Sequence, residues 1–117
     1  MKDFKKYRVW QLGHQLTLEI YKTTKKFPKE EIYGLTSQMR RASYSIPSNI
    51  AEGYGRESQP EFEGFLTISQ ASASELEYFN ISVKDLDIIE QSEFEEFDKK
   101  INEVKRSLHS LIKKVKA

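Results

Sequence analysis

Apolar side chains recur every three or four residues in four successive segments of this 117-residue chain. That spacing places them on one face of an α-helix, and no run alternates with the period of two that a half-buried strand requires. Each helix must therefore bury its apolar face against the others. The pattern predicts an all-α fold, an antiparallel up-down-up-down four-helix bundle, which forms a single domain over residues 1–117.

The predicted helices are long and their connections are short. Helix one is expected over residues 7–26, because Phe27 precedes a proline and is biased away from helix. Helix two is expected over residues 33–54. Helix three follows and ends near Ile88, and helix four occupies the rest of the chain. Short connections favour antiparallel neighbours.

Two serines are the predicted N-caps of helices three and four. Ser58 is followed three residues later by Glu61, which is the spacing of a capping box. Ser92 is followed in the same way by Glu95. In both segments an apolar stripe begins directly after the predicted cap, so each serine is expected to mark a helix start.

Pro47 lies in the interior of predicted helix two. It has no N–H, so the carbonyl of Ser43 loses its partner, and a proline there costs about 3 kcal/mol or more. The hydroxyls of Ser43, Ser45 and Ser48 are the expected local partners for the loosened backbone. We predict a helix that is kinked at Pro47.

The residues around this proline resemble a family signature. Arg41-Ala42 followed by Ser45-Ile46-Pro47-Ser48-Asn49-Ile50-Ala51-Glu52-Gly53 is similar to the signature of the 23S rRNA intervening-sequence proteins, small bacterial four-helix bundles. The upstream residues 33–38 fit the same pattern, as do Glu61-Phe62, Phe65-Leu66 and Ser74-Glu75-Leu76 downstream. Gln70-Ala71-Ser72 departs from it, because relatives often have a glycine before the serine. The signature positions expected to have a structural or interface role are Arg41, Ser45, Pro47, Asn49, Glu52 and Gly53.

The resemblance implies an assembly and a class of partner. Members of this family look like closed homo-oligomers in which five bundles form a ring around a pore. A more distant similarity points to the accessory variability determinant proteins of diversity-generating retroelements, which bind RNA and a reverse transcriptase. The resemblance therefore implies a homo-oligomer, and specifically a homopentamer. It also implies that the oligomer binds RNA or a ribonucleoprotein.

Charge is unevenly distributed, although 19 basic residues nearly balance 18 acidic ones. The net charge is +5 over residues 1–26, −7 over residues 57–92 and +6 over residues 99–117. In the predicted topology the start of helix one and the end of helix four share one end of the bundle. This basic pole, the predicted nucleic-acid site, comprises Lys2, Lys5, Lys6, Arg8, Arg56, Lys113, Lys114 and Lys116.

The basic pole has three interpretations. In the first interpretation, its side chains contact phosphates, and binding weakens as the salt concentration rises. Alternatively, they complement the dipole of a helix C-terminus and keep the surface solvated. In the third interpretation, the pole of one subunit contacts acidic helix three of the next.

Several kinds of chemistry are excluded by residue types. The chain has no cysteine, so disulfides and thiolate metal sites are impossible. Neither His14 nor His109 follows a glutamate at the spacing of a di-metal bundle. We therefore expect no catalytic residue, no metal, no cofactor and no enzymatic activity. No stretch resembles a signal peptide or a membrane span, so we expect a cytoplasmic protein without a membrane partner.

Two functions remain as hypotheses. The first is a non-enzymatic, RNA-associated oligomer that presents a basic surface, and the second is a protein-binding adaptor or assembly scaffold that uses tyrosines and acidic helix three. Asn49 is expected to bond the proline turn or a facing helix, and Glu52 to pair with Arg8 or Arg56. Alternatively, these two residues line a groove or a subunit contact. An outward Tyr44 beside Ala51 favours a subunit interface.

Overall fold

A computed structural model describes residues 3–117, and Met1 and Lys2 lie outside the described residues. The described chain contains four α-helices and no strand. These are α1 (Arg8–Thr24), α2 (Leu35–Tyr54), α3 (Gln59–Asp85) and α4 (Gln91–Lys116). Short 3-10 turns at Phe4–Lys6 and Lys29–Glu31 flank α1. The prediction of an all-α four-helix bundle is confirmed, whereas the bend at Pro47 and the full up-down-up-down order stay predictions.

The cap of α3 is the predicted one, and the cap of α4 is not. The hydroxyl of Ser58 accepts from the backbone N–H of Glu61 at 3.2 Å. The N-cap of α4 is Glu90, whose backbone N–H donates to the Glu93 carboxylate at 3.1 Å. Ser92 is therefore the second residue of the helix and caps nothing. The pairing of Glu90 with Glu93 satisfies the helix end two residues earlier than predicted.

Helix α3 ends at Asp85, three residues before the predicted end near Ile88. Asp87 adopts a left-handed conformation with φ of 59°, and the Ile88 N–H turns back to the carbonyl of Val83 at 2.8 Å. Asp and Asn are the non-glycine residues that tolerate this conformation best. Leu86 therefore leaves the apolar stripe to which its spacing assigned it, and it is 61% exposed.

The core is made from one stripe of each helix. Its central side chains are aliphatic and at most 1% exposed, and they are Leu16, Ile20, Met39, Ala42, Ile46, Ile50, Leu66, Ala73, Leu76, Val83, Ile101, Val104 and Leu108. The molecule measures 43 × 23 × 20 Å. Its long axis is that of α3 and α4, since 27 helical residues span about 40 Å.

Ion pairs join α1 to α4 along the length of the molecule. Arg8, at the start of α1, pairs with Glu103 at 3.6 Å near the middle of α4. Lys26, just beyond the end of α1, pairs with Glu93 at 3.4 Å at the start of α4. Residue numbers therefore rise along α1 while they fall along α4. These exposed pairs align the two helices but contribute little to stability individually.

The turn at Pro47 is supported by side chains from both neighbouring helices. The hydroxyl of Thr17 on α1 lies 3.0 Å from the carbonyl oxygen of Ser43, the acceptor that proline leaves without an N–H partner. On the other side, the hydroxyl of Ser69 on α3 donates to the carbonyl of Ile46 at 2.8 Å. Both hydroxyls are buried. Two helices therefore satisfy the backbone around the proline.

The prediction that local serines would satisfy this turn is wrong. The hydroxyl of Ser43 donates to the carbonyl of Arg40 at 2.7 Å, and that of Ser45 bonds Ser72 at 2.8 Å. Ser48 is exposed and makes no side-chain hydrogen bond within residues 3–117. The partner comes from α1 because the Ser43 carbonyl points toward that helix.

Gly13 allows α1 to approach the proline turn closely. A Cβ atom at this position would lie 3.0 Å from Cγ2 of Ile46 and 3.6 Å from Cδ of Pro47. Gly13 is buried and precedes Thr17 by one helical turn. The absence of a side chain therefore brings the Thr17 hydroxyl within reach of Ser43.

Candidate nucleic-acid interface

The signature residue Arg41 lies where α2 packs against α3, along a line of contact called here the seam between the two helices. The guanidinium of Arg41 donates to the Glu75 carboxylate on α3 at 2.7 Å and to the Gln38 side-chain oxygen at 2.9 Å. Each side chain of the Arg41–Glu75 pair is about two-fifths exposed, at 42% and 41%. The pair therefore fixes the relative position of two helices near the surface, where solvent weakens its contribution.

Ser45 and Asn49 continue this seam one and two turns further on. The hydroxyls of Ser45 and Ser72 lie 2.8 Å apart. The Asn49 amide donates to the carbonyl of Ser45 at 2.8 Å and to its hydroxyl at 3.0 Å. This network follows the prediction that Asn49 bonds the proline turn or a facing helix. It also occupies the polar groups that a groove for an external ligand would need.

Gly53 is required by the crossing of α2 and α3. A Cβ atom there would lie 2.5 Å from Cβ of Phe65 and 3.1 Å from Cδ1 of Phe62. Such a contact is closer than real Cβ atoms approach, so any side chain at this position would force the helices apart. Gly53 thus sets the interhelical distance, and the adjacent Glu52 pairs with Arg56 at 3.1 Å on the exposed surface.

Aromatic contacts join three helix ends at the basic pole. Tyr7, directly before α1, lies edge-on to Tyr54 at the end of α2, with ring centroids 5.6 Å apart. Tyr54 lies 5.9 Å from Phe62 at the start of α3. Burial, and secondarily the neighbouring Tyr54, raise the pKa of the Tyr7 hydroxyl. The end of α4 reaches the same place, since Lys116 pairs with Glu63 at 3.6 Å.

Some members of the predicted basic pole are neutralised within the chain. Arg8 is paired with Glu103, Arg56 with Glu52 and Lys116 with Glu63. Lys5 lies 3.8 Å from Asp3. Lys2, also assigned to the pole, lies outside the described residues. Every one of these pairs is largely exposed, so an external anion competes with the carboxylates for the cations.

Three lysines of the pole have no carboxylate partner within the described chain. They are exposed, and they are Lys6, Lys113 and Lys114. Lys6 closes the 3-10 turn before α1, and the other two lie in the last turn of α4. The C-terminus of α4 carries partial negative charge, which Lys113 and Lys114 complement.

The acidic residues of α3 do not form an independent acidic surface. Glu63, Glu75 and Glu77 each pair with a basic residue of a neighbouring helix, and the Lys105–Glu77 pair has a separation of 2.8 Å. The negative charge of this helix is therefore partly neutralised by contacts that hold the bundle together. Its other two carboxylates, Glu61 and Asp85, are exposed and lie one at each end of the helix.

A groove lies between α1 and α4, at the end opposite the basic pole. It encloses about 540 Å³, and its lining includes Phe97 and Lys100. The Lys100 ammonium donates to Glu19 at 2.7 Å and to Glu96 at 3.3 Å. The hydrogen bond to Glu19 is the main cause of a raised pKa at Lys100. These contacts pair Lys100 with two of the three glutamates that line the groove.

Sequence reasoning missed Gly13 and Thr17, which support the proline turn from α1. One signal was present: Gly13 stands in the apolar stripe of helix one, between Val9 and Leu16 at three-four spacing. A glycine at such a position indicates close approach of another backbone. The pairing of Thr17 with Ser43 depends on how two distant segments pack, and no local pattern indicates it.

Within residues 3–117, no group of three or more histidine, aspartate and glutamate side chains is placed to hold a metal ion. Both histidines are exposed; His14 lies against Trp10, and His109 lies near Arg106 on α4. The described helices also include none with the length and hydropathy needed to span a lipid bilayer.

Comparison with known proteins identifies the chain's relatives. A family model described as "23S rRNA-intervening sequence protein" matches residues 5–110. The fold is similar to that of a crystal structure of a protein of unknown function, from the S23 ribosomal protein family, from Bacteroides thetaiotaomicron. The TM-score is 0.84 at 24% identity, and the match covers 90% of this chain and 95% of the other. A comparison with curated protein sequences finds no match.

Proposed function

This chain belongs to the 23S rRNA-intervening sequence protein family, and we propose that it is a non-enzymatic protein that associates with RNA through the basic pole. In this proposal it acts in the bacterial cytoplasm as a homo-oligomer, a pentamer if it assembles as the family resemblance implies. The observation that carries the proposal is the position, at one end of the bundle, of three exposed lysines that have no carboxylate partner within residues 3–117, Lys6, Lys113 and Lys114.

The position of these lysines favours an anionic partner. Lys6 lies beside Tyr7, which contacts the start of α3, and the last turn of α4 reaches the same helix start through Lys116. Cations from two chain ends therefore converge on one end of the bundle. Neutralising the dipole of α4 would require only the residues of its own last turn, so it does not account for Lys6.

Oligomerisation would place several copies of the basic pole on one particle. A few lysines contribute weak binding alone, but several subunits that present the same patch raise the effective concentration for a long polyanion. An exposed Tyr44, with 47% of its surface accessible, supports the prediction of a subunit interface on α2. Light scattering on the purified protein measures the mass directly, and a mass equal to one chain would contradict the oligomer.

The experiment for RNA association is a salt titration. Anisotropy of a labelled structured RNA is measured with the wild-type protein and with the pole variant K5E/K6E/K113E/K114E. We expect the logarithm of the wild-type association constant to fall linearly with the logarithm of salt concentration. The slope changes by roughly 0.7 to 0.9 for each phosphate that a variant no longer neutralises. The pole variant should bind at least tenfold more weakly at low salt.

A matched control separates the pole from net charge. The variant K22E/K25E/K29E/K99E makes the same change in net charge at exposed lysines elsewhere on the bundle. It should keep most of the RNA affinity if the pole is the site. Equal losses in both variants would mean nonspecific attraction, and absence of binding by the wild-type protein at low salt would refute RNA association.

The second candidate is a protein-binding adaptor, and exposed apolar side chains on α3 favour it. Tyr78, Ile68 and Ile81 are 64%, 49% and 40% exposed. Adjacent exposed apolar residues are typical of contact surfaces, and Tyr78 and Ile81 lie on the same face of α3 at a spacing of three residues. Wild-type protein that assembles but binds no RNA at any salt concentration would leave this function, and a Tyr78→Ser variant would then lose its protein partner.

A further inference from the structure

Next to the basic pole, the 3-10 turn at Phe4–Lys6 and the first two turns of α1 carry a group of three rings, of which Trp10 packs partly against the core. We propose that this group is a stacking platform for unpaired bases of a single-stranded nucleic acid. The inference rests on the proposed association with RNA and names the form of nucleic acid that is bound. The aromatic platform consists of Phe4, Trp10 and His14.

The rings are already arranged as a stack. The planes of Trp10 and His14 are inclined by 13°, with centroids 5.0 Å apart, and Phe4 meets Trp10 edge-on at 5.3 Å. His14 is exposed, whereas Trp10 packs partly against the core. The indole therefore anchors the stack in the protein, and the imidazole presents its outer face to solvent. A base that stacks on His14 would extend an existing column of rings.

The segment that carries Phe4 is fixed before any ligand arrives. The Asp3 carboxylate accepts from the backbone N–H of Lys5 at 3.0 Å, and the Gln11 side-chain amide donates to the Lys5 carbonyl at 2.9 Å. These bonds hold the 3-10 turn on the first turns of α1. Lys6 in this turn is exposed and has no carboxylate partner within residues 3–117. Aromatic rings and a phosphate-binding cation are thus held side by side.

The exposed line continues along α1 toward its C-terminal end. Leu18 follows His14 by four residues and is 56% exposed, and Tyr21 follows by three more with its ring beneath the Arg40 guanidinium at 4.7 Å. His14 and Tyr21 are about 10 Å apart along the helix axis. At about 3.4 Å for each nucleotide, roughly three stacked nucleotides span that distance.

Single strands are the class of nucleic acid that this surface suits. Proteins that bind them combine a cationic track for the backbone with aromatic side chains on which bases stack, and this works for any base sequence. A duplex keeps its bases paired inside, so only its two terminal base pairs could offer a ring face to His14. The platform therefore predicts a preference for unpaired strands that charge alone would not produce.

The single tryptophan makes the proposal directly testable. Decamers of adenylate, as RNA and as DNA, and a blunt RNA duplex are titrated into the full-length protein. Binding is followed by the anisotropy of labelled oligonucleotide, and stacking is followed independently by Trp10 fluorescence. We expect the single strands to quench Trp10 and the duplex to leave its emission nearly unchanged. The ratio of RNA to DNA affinity identifies which of the two strands is the preferred ligand.

Variants at the two histidines complete the experiment. His14→Ala should weaken decamer binding about five- to a hundredfold, and His14→Tyr should restore it because it keeps a ring. His109→Ala, at the other exposed histidine, should leave it unchanged. Saturable anisotropy with constant Trp10 emission, or equal affinity of His14→Ala and wild type, would overturn the platform and leave the proposed function standing. Absence of any anisotropy change at low salt would overturn both.

Discussion

At Thr17 a single side chain completes a turn on another helix. Its hydroxyl lies 2.9 Å from the Gly13 carbonyl of its own helix and 3.0 Å from the Ser43 carbonyl of α2. The first carbonyl already receives a helical N–H, and the second has no helical partner because of Pro47. A buried acceptor without a partner costs about 1–3 kcal/mol. The stability of α2 at its proline therefore depends on a residue of α1.

We predict that Thr17→Val lowers the free energy of unfolding by about 1–3 kcal/mol. Urea denaturation followed by circular dichroism measures the change. Thr67→Val is the control, because the Thr67 hydroxyl bonds the Glu63 carbonyl of its own helix at an exposed site. In a Pro47→Ala background the loss should shrink, since alanine restores the N–H. An equal loss in both backgrounds would contradict this account.

Replacement of two glycines by alanine should change the stability of the protein in opposite directions. Gly53→Ala places a Cβ atom 2.5 Å from that of Phe65, and overpacking of this kind costs about 1–3 kcal/mol. Gly64 is an exposed helical position, where a Cβ atom would have no neighbour within 4 Å. Alanine there should stabilise the protein by up to about 1 kcal/mol. Thermal melting of both variants tests the pair, and destabilisation by Gly64→Ala would be unexpected.

At the scale of helices, the ends are set by single residues and not by average propensity. Helix α3 begins where the Ser58 hydroxyl accepts an otherwise unpaired N–H, and it ends where Asp87 adopts positive φ. Helix α4 begins at the Glu90–Glu93 pair. Because each cap satisfies backbone groups that have no helical partner, the positions of the connections follow from these side chains.

The two serines with the spacing of a capping box should therefore differ in their contribution to the free energy of unfolding. Ser58→Ala should lower the free energy of unfolding by about 0.5–2 kcal/mol, the usual cost of removing an N-cap. Ser92→Ala should change it by less than about 0.5 kcal/mol, as for an ordinary surface residue. Chemical denaturation of the two variants side by side is sufficient. Equal losses would place a cap at Ser92 after all.

At the scale of the whole molecule, two groups link stability to alkaline pH. Burial raises the pKa of Tyr7 above its ordinary 10.0, and the hydrogen bond to Glu19 raises the pKa of Lys100 above 10.5. In both cases the folded state holds its proton more tightly than the unfolded state. Their stabilisation is complete below the ordinary values and is lost as pH rises through the folded ones.

We therefore expect the urea midpoint to fall between pH 9 and about pH 11. Tyr7→Phe should reduce this fall because phenylalanine has no proton to lose, and Glu19→Gln should reduce the part that Lys100 contributes. Tyr33→Phe serves as the control, since Tyr33 is 94% exposed. A midpoint independent of pH over this range, or an equal effect of Tyr33→Phe, would contradict the linkage.

The four apolar stripes predict the fold because each helix buries one face, and Ser58 is recognisable because its cap is local. The start of α4 is misplaced from sequence because Glu90–Glu93 and Ser92–Glu95 offer two possible capping boxes that are offset by two residues. The choice between them depends on the path of the preceding turn. The Thr17–Ser43 contact cannot be predicted from local sequence, because it joins residues 26 positions apart.

The support that α1 gives to the proline has a consequence for anyone who transplants this segment. A designer who grafts the α2 sequence into a different helical scaffold imports an acceptor without a donor. The graft will hold its shape only if the host also supplies a small residue opposite Pro47 and a hydroxyl one turn later, as Gly13 and Thr17 do here. The portable unit is thus a pair of helices.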